Sequence, residues 1–250
     1  PFFIAMAWWA GRGKPALTRA DCLGVLGLGF SGYYLSSYLD FLGLQYIPAS
    51  RLTVFLYASP LWAALILPWV IRSERLRALQ WVGLLLAFMA VAYTLRDGLL
   101  RGQTEAQHWG DILALASGLF WAMTTVTIRS SDRLMRASAE KLLFYQVGGA
   151  AVFSAALSLI LGDVWVSNFS PFAITSLALQ AVVGGFASYL VWMGLLRVYP
   201  ATQLSSFTFL TPVFALVFGV MLLNEPLTLQ LVLALAGVAA GIVLVNRKPG

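Results

Sequence analysis

The sequence predicts an all-α, polytopic helical membrane protein, and three observations carry that prediction. Of 250 residues, 60% are apolar and only 10% charged, where an ordinary soluble domain is about one quarter charged. Sixteen basic and ten acidic side chains cannot cover the surface of a water-soluble globule of this length. The charge-poor runs reach the roughly 20 residues that a helix needs to cross a hydrocarbon core about 30 Å thick. Finally, the chain repeats itself, as set out below.

Apolar stretches bounded by charged or Pro/Gly-containing loops predict spans at 23–46, 49–71, 78–95, 111–129, 140–161, 172–196, 201–223 and 227–245. No room is left for a separate soluble domain. Residues 1–10, PFFIAMAWWA, form half a span that runs into a basic loop and lack the charged start and cleavage site of a signal peptide. With the loops placed on alternate sides, Arg12, Lys14, Arg19, Arg72, Arg75, Arg77, Arg129, Arg133, Arg136, Lys141, Arg197, Arg247 and Lys248 share one side. The other side keeps only Arg51, Arg96 and Arg101. The positive-inside rule makes the first side, with the C-terminus, cytoplasmic. Span 23–46 then runs outward and 49–71 returns.

The net charge of +6 is scattered over small loop clusters, which is a topology signal and not the basic stripe of a nucleic-acid binder. A lone Cys22 excludes an intramolecular disulfide, and a lone His108 leaves little for a metal site. No metal and no cofactor are expected.

The internal repeat pairs Ser37 with Ser188, Tyr38 with Tyr189, Gly43 with Gly194, Pro48 with Pro200, Ala49 with Ala201 and Pro60 with Pro212. Downstream, Glu74-Arg75-Leu76 lines up with Glu225-Pro226-Leu227. Span 23–46 runs outward and its copy 172–196 inward, so the repeats, 1–95 and 111–245, are inverted. Inverted repeats characterise secondary transporters whose binding site lies near the midplane. The second repeat has five spans and the first three and a half, which predicts a ten-span (5+5) fold with the first span and part of the second missing from this chain.

These motifs, Gly194, Pro200-Ala201, Pro212 and Asn224-Glu225-Pro226-Leu227, together with Tyr34 and Ser37-Tyr38-Leu39-Asp40-Phe41-Leu42-Gly43-Leu44-Gln45-Tyr46, resemble the EamA-type exporters of the drug/metabolite transporter superfamily. Glu74 departs from the pattern by sitting in a basic RSERLR run. The resemblance implies ten spans around a central cavity that carries amino acids or other small metabolites. Relatives that carry sugar phosphates place basic residues in that cavity; no Lys or Arg falls mid-span here, which argues against phosphorylated substrates.

Asp40 is the one carboxylate well inside an apolar span, roughly 10 Å below the outer interface at 1.5 Å per residue. Burying it costs about 2.5 kcal/mol or more unless it is paired or faces water. Two roles follow: an ion pair with Arg51, or a proton-coupling or substrate-amine site. The repeat places Val191 at the equivalent position, so the shared fold does not impose the carboxylate. Tyr33, Tyr34, Ser37, Tyr57, Trp121, Thr125, Trp192, Ser206, Thr208 and Phe209 put aromatic and hydroxyl groups at mid-span. As a set they suit a cavity for a small amphipathic ligand; for any single one the alternative is core packing or an interhelical hydrogen bond.

Pro60 and Pro212 fall mid-span and bend their helices, as static kinks or as hinges. Gly237 and Gly241 form a GxxxG pattern suited to close intramolecular packing. Trp8, Trp9, Trp62, Trp69, Trp109 and Trp165 lie nearer span ends, as interfacial anchors do. Gly27, Gly29 and Gly32 match a dinucleotide fingerprint, but with no preceding strand they read as helix-packing glycines.

The sequence therefore predicts an exporter of a small neutral or zwitterionic metabolite, amino-acid-like or aromatic, working by alternating access in a bacterial inner membrane as a monomer or homodimer. An importer or uniporter on the same fold is the first alternative. A non-transporting membrane subunit or intramembrane enzyme is the second, for which no nucleophile–base pair is visible.

Overall fold

The computed structural model describes residues 5, 8–9, 12, 18–94, 96, 104–162, 170–223 and 229–247. Most of 1–10, with Arg101, Trp165, Glu225 and Lys248, lies outside them. Among the described residues the chain is helical, without strands. Of the eight spans expected from the sequence, the first holds α1 (Arg19–Leu28), a π-helical stretch Gly29–Leu35 and α2 (Ser36–Gly43). The second is divided between α3 (Ala49–Leu56) and α4 (Ser59–Val70). Then come α5 (Ala78–Thr94), α6 (Glu105–Ser130), the short α7 (Asp132–Arg136) and α8 (Ala139–Leu161). The sixth span joins α9 (Pro171–Leu179), a π-helical stretch Gln180–Ala187 and α10 (Ser188–Val198). α11 (Ala201–Ser206), a 3-10 turn Phe207–Phe209 and α12 (Leu210–Leu223) form the seventh, and α13 (Leu229–Asn246) the last.

Local chemistry explains several boundaries. Ser131, Ser138 and Ser170 accept the backbone N–H groups of Leu134, Lys141 and Ala173 at 3.4, 3.3 and 3.1 Å, capping α7, α8 and α9. Gly162 ends α8 at φ 72°, a left-handed conformation open to glycine at little cost. The mid-span prolines act by restarting helices. Pro60 stands in the first turn of α4 and Pro212 in that of α12, where the missing N–H breaks no intrahelical bond. The chain interrupts its helix one turn earlier, at Tyr57–Ala58 and at Phe207–Phe209. The irregularities recur with the sequence offset: the π stretches start 151 residues apart, at Gly29 and Gln180.

The chain divides into two compact units, which cut across the stretches 1–95 and 111–245. The first comprises Pro1–Leu35 and Thr127–Val198, the second Ser36–Val126 and Tyr199–Gly250. In the first unit, Val25, Ile128, Leu134, Leu142, Leu143 and Met193 form a buried apolar cluster. α8 lies along α1 and the first π stretch so closely that a Cβ on Gly29 would collide with the Gln146 carbonyl oxygen. Two of the thirteen basic residues tie helix ends here: Arg129 donates to Leu196 O at 2.8 Å, and Arg197 to Ala137 O.

In the second unit α5 and α13 pack side by side. Leu84, Ala87, Val91, Val238, Ile242 and Val245 bury their side chains with Phe209. Cβ atoms placed on Gly83 or Gly241 would each lie 2.6 Å from the other's carbonyl oxygen, and one on Gly237 2.8 Å from Ala90 Cβ. The GxxxG pair thus serves contact within the chain. Because the atom in the way at Gly241 is backbone, Gly241→Ala is expected to cost about 2 kcal/mol, read as thermal unfolding in detergent; unchanged unfolding would disprove the contact's importance.

The tryptophans divide. Trp69 and Trp109 are exposed, as anchors are, but Trp62 is half-buried with its indole N–H shielded. It starts the second turn of α4 and is not at a span end.

Candidate functional site

The charged centre of the second unit lies where α2, α3 and α6 meet. Small residues allow that meeting: a Cβ on Gly110 would stand 2.7 Å from the Ile47 side chain, and one on Gly118 3.1 Å from Leu56 O. Arg51, at 2% exposure, directs Nε at Asp111 Oδ1 and NH2 at Oδ2, each at 2.7 Å. This two-pronged contact is the strong form of a charge-assisted pair. It corrects the expected Asp40–Arg51 pairing. α6 begins at Glu105, so Asp111 is not at a span edge but about 1.7 turns inside the helix, with its carboxylate available to the arginine fork.

Asp40 is left to other partners. Its Oδ1 is buried with no hydrogen-bond partner among the described residues, and the Ser117 hydroxyl lies beside its carboxyl. Ser117 is itself 2.9 Å, oxygen to oxygen, from the Ser36 hydroxyl, which also lies 3.2 Å from the Ser117 carbonyl. Both serines are buried. A carboxyl with one oxygen unanswered, inside an apolar span, is an acceptor for a proton or an ammonium group.

The other expected residues fall into distinct settings. Tyr57 is half-buried at the break between α3 and α4 and packs on the cluster that contains Phe209. Phe209 is fully buried, its ring edge-on to Phe88 with centroids 6.4 Å apart. Ser206 is fully buried and donates to Gln203 O at 2.7 Å. Trp121 is half-buried and Thr125 buried on α6, whereas Ser37 is exposed. Tyr34 and Trp192 belong to the first unit. There Tyr34 stacks on Phe30 at 5.6 Å, and Phe30 meets Phe153 edge-on at 4.8 Å.

Two buried polar side chains were not expected from sequence to be buried: Glu74, noted there only as a repeat motif, and Gln146. Glu74 is 1% exposed, and accepts Ala201 N at 2.9 Å on Oε1 and Thr202 N and Oγ1 at 3.1 and 2.9 Å on Oε2. The signal for it was Pro200, which begins α11 without a capping side chain and leaves the first N–H groups needing an acceptor. Gln146, in the first unit, is buried with neither amide atom hydrogen-bonded among the described residues; a glutamine amid the apolar run of α8 was its signal. The described residues contain no cluster of three or more His, Cys, Asp or Glu able to hold a metal ion.

The profile of the EamA-like transporter family matches residues 1–96 and 108–247. The chain belongs to that family. An uncharacterized transporter of Archaeoglobus fulgidus is 26% identical over 226 residues, covering 90% of this chain and 76% of the relative. The uncharacterized transporter YvbV of Bacillus subtilis is 30% identical over 216 residues, covering 84% and 67%. An S-adenosylmethionine/S-adenosylhomocysteine transporter of Chlamydia trachomatis is 28% identical over 243 residues, covering 93% and 72%. A crystal structure shares the fold at a TM-score of 0.80 and 21% identity, covering 98% of this chain and 85% of its own. This EamA-like transporter is therefore a multi-pass membrane protein, and its helical architecture is that of a solved fold.

Proposed function

We propose that this protein is a secondary transporter that exports a small neutral or zwitterionic metabolite across a bacterial inner membrane, with Asp40 as its proton-coupling carboxylate. One observation carries the reading: Asp40 keeps a buried oxygen without a partner while the cation of the same helix cluster, Arg51, is held by Asp111. Such an oxygen is costly until a proton or cation reaches it. Binding a proton from outside and releasing it inside would drive substrate the other way by alternating access.

Tyr57, Trp121, Thr125 and Ser37 supply the aromatic and hydroxyl contacts of the second unit, with Ser206 and Phe209 supporting them from the core. Tyr34 and Trp192 offer the same chemistry in the first unit. A zwitterionic substrate with an aromatic part agrees with the S-adenosylmethionine and S-adenosylhomocysteine for which the chlamydial relative is named. The thirteen basic residues and the C-terminus face the cytoplasm, 1–95 and 111–245 are the inverted repeats, and the helix breaks before Pro60 and Pro212 are the hinges.

The test begins with a thermal-shift screen of the purified protein against amino acids, purines and S-adenosylmethionine. The first stabilising compound is then followed in proteoliposomes under an imposed pH gradient. Asp40→Asn is expected to insert normally and to lose about tenfold or more in transport, roughly 1.4 kcal/mol of coupling. Transport by Asp40→Asn at the wild-type rate would refute the assignment.

A further inference from the structure

We infer that Ser117 and Ser36 form one proton-holding site with Asp40, in which the two hydroxyls reverse their hydrogen bonds as the carboxyl gains or loses its proton. The inference rests on the reading of Asp40 as the coupling carboxylate and adds the groups that let it change state inside an apolar helix cluster.

A carboxylate needs donors, whereas a carboxylic acid must itself donate; a fixed N–H or guanidinium serves only the first. A hydroxyl has one proton and two lone pairs, so it serves both. Asp40 follows Ser36 by one turn on α2, which puts both side chains on the face toward Ser117; with Asp40 ionised, the Ser117 hydroxyl turns to donate to the carboxylate and the Ser36 hydroxyl donates to Ser117 Oγ across 2.9 Å. With Asp40 protonated, the acid O–H donates to Ser117 Oγ and the Ser117 hydroxyl turns to Ser36 Oγ. The Ser36 hydroxyl then turns to the Ser117 carbonyl oxygen, 3.2 Å away. Each serine keeps its own proton, and the coupling proton enters and leaves through Asp40 alone. The second acceptor within reach of Ser36 is what makes the reversal complete, because every O–H retains a partner in both states.

Three further observations favour this role over simple helix–helix adhesion. Ser36 is 3% exposed and Ser117 fully buried, so water does not satisfy either in place of the other. Ser36 bonds across 81 residues, where the ordinary outlet for a mid-helix serine is the carbonyl of its own preceding turn. In the second repeat the positions of Asp40 and Ser36 hold Val191 and Ala187, so carboxyl and hydroxyl are absent together. The charged groups that α3 and α6 bring to this end are Arg51 and Asp111, engaged with each other, with Glu105 and His108 exposed beyond them.

The full-length protein in liposomes is titrated by infrared spectroscopy, following the protonated-carboxyl band that Asp40→Asn removes. Ser117→Ala removes a donor to the ionised form and an acceptor for the acid; the bond to the charged form is the stronger, so the midpoint is expected to move up by about one pH unit. Ser36→Ala is expected to move it less, and Ser117→Thr, which keeps the hydroxyl, to restore it. A wild-type band that titrates but stays within about 0.3 pH unit in Ser117→Ala overturns the inference alone. A wild-type protein with no titrating band that depends on Asp40 overturns the coupling role and the inference together.

Discussion

Replacing Arg51 by glutamine is expected to destabilise the second unit by about 4 kcal/mol, the range for removing one partner of a buried ion pair. The cost arises less from the lost attraction than from Asp111, whose side chain is 15% exposed and would be left with both guanidinium donors gone. Asp111→Asn should cost less, because an amide still accepts one of the two bonds. The double variant Arg51→Leu/Asp111→Leu removes both charges and should recover much of the loss, since apolar replacements of buried pairs are often near neutral. Thermal or denaturant unfolding in detergent measures all three. If the losses of the single variants simply add in the double variant, the pair carries no coupling and the mechanical link between α3 and α6 is unimportant.

Glu74→Ala is expected to be as severe, again about 4 kcal/mol, because one carboxylate satisfies three donors at the start of α11. Removing it strands the N–H groups of Ala201 and Thr202 in a buried setting. Glu74→Gln separates charge from hydrogen bonding. Its single carbonyl oxygen can turn toward the two Thr202 donors, which leaves the amide NH2 facing Ala201 N–H. About half the destabilisation should remain, read by unfolding in the same detergent series. Equal stability of Glu74→Ala and wild type would mean that α11 finds another cap.

The long apolar helices were legible in the sequence because length and charge depletion alone define them. The helix restarts at Pro60 and Pro212 were legible as bends, since a missing N–H has few places to go. Asp40 was legible because a carboxylate stands out in an apolar run. The partner of Arg51 was not. The polar stretch Glu105–Gly110 read as loop, yet it is the first turns of α6, and that extension carried Asp111 inward to Arg51. Glu74 escaped because loop sequence holds no periodicity from which to read contacts with a segment 127 residues away. The π-helical stretches escaped for a related reason: where nearly every position is apolar, a slip in helical phase leaves no trace in the pattern.

That slip has its own consequence. A stretch wound from residue i to i+5 accommodates surplus chain within a helix, and each surplus residue displaces the side chains beyond it by about 100° around the axis. The outward stripe of α9 therefore does not continue as the outward stripe of α10, on either side of Gln180–Ala187. A saturation scan of this segment would show two separate bands of tolerance, offset around the axis, and a helical wheel drawn through 171–198 as one straight helix would assign half of them to the wrong side.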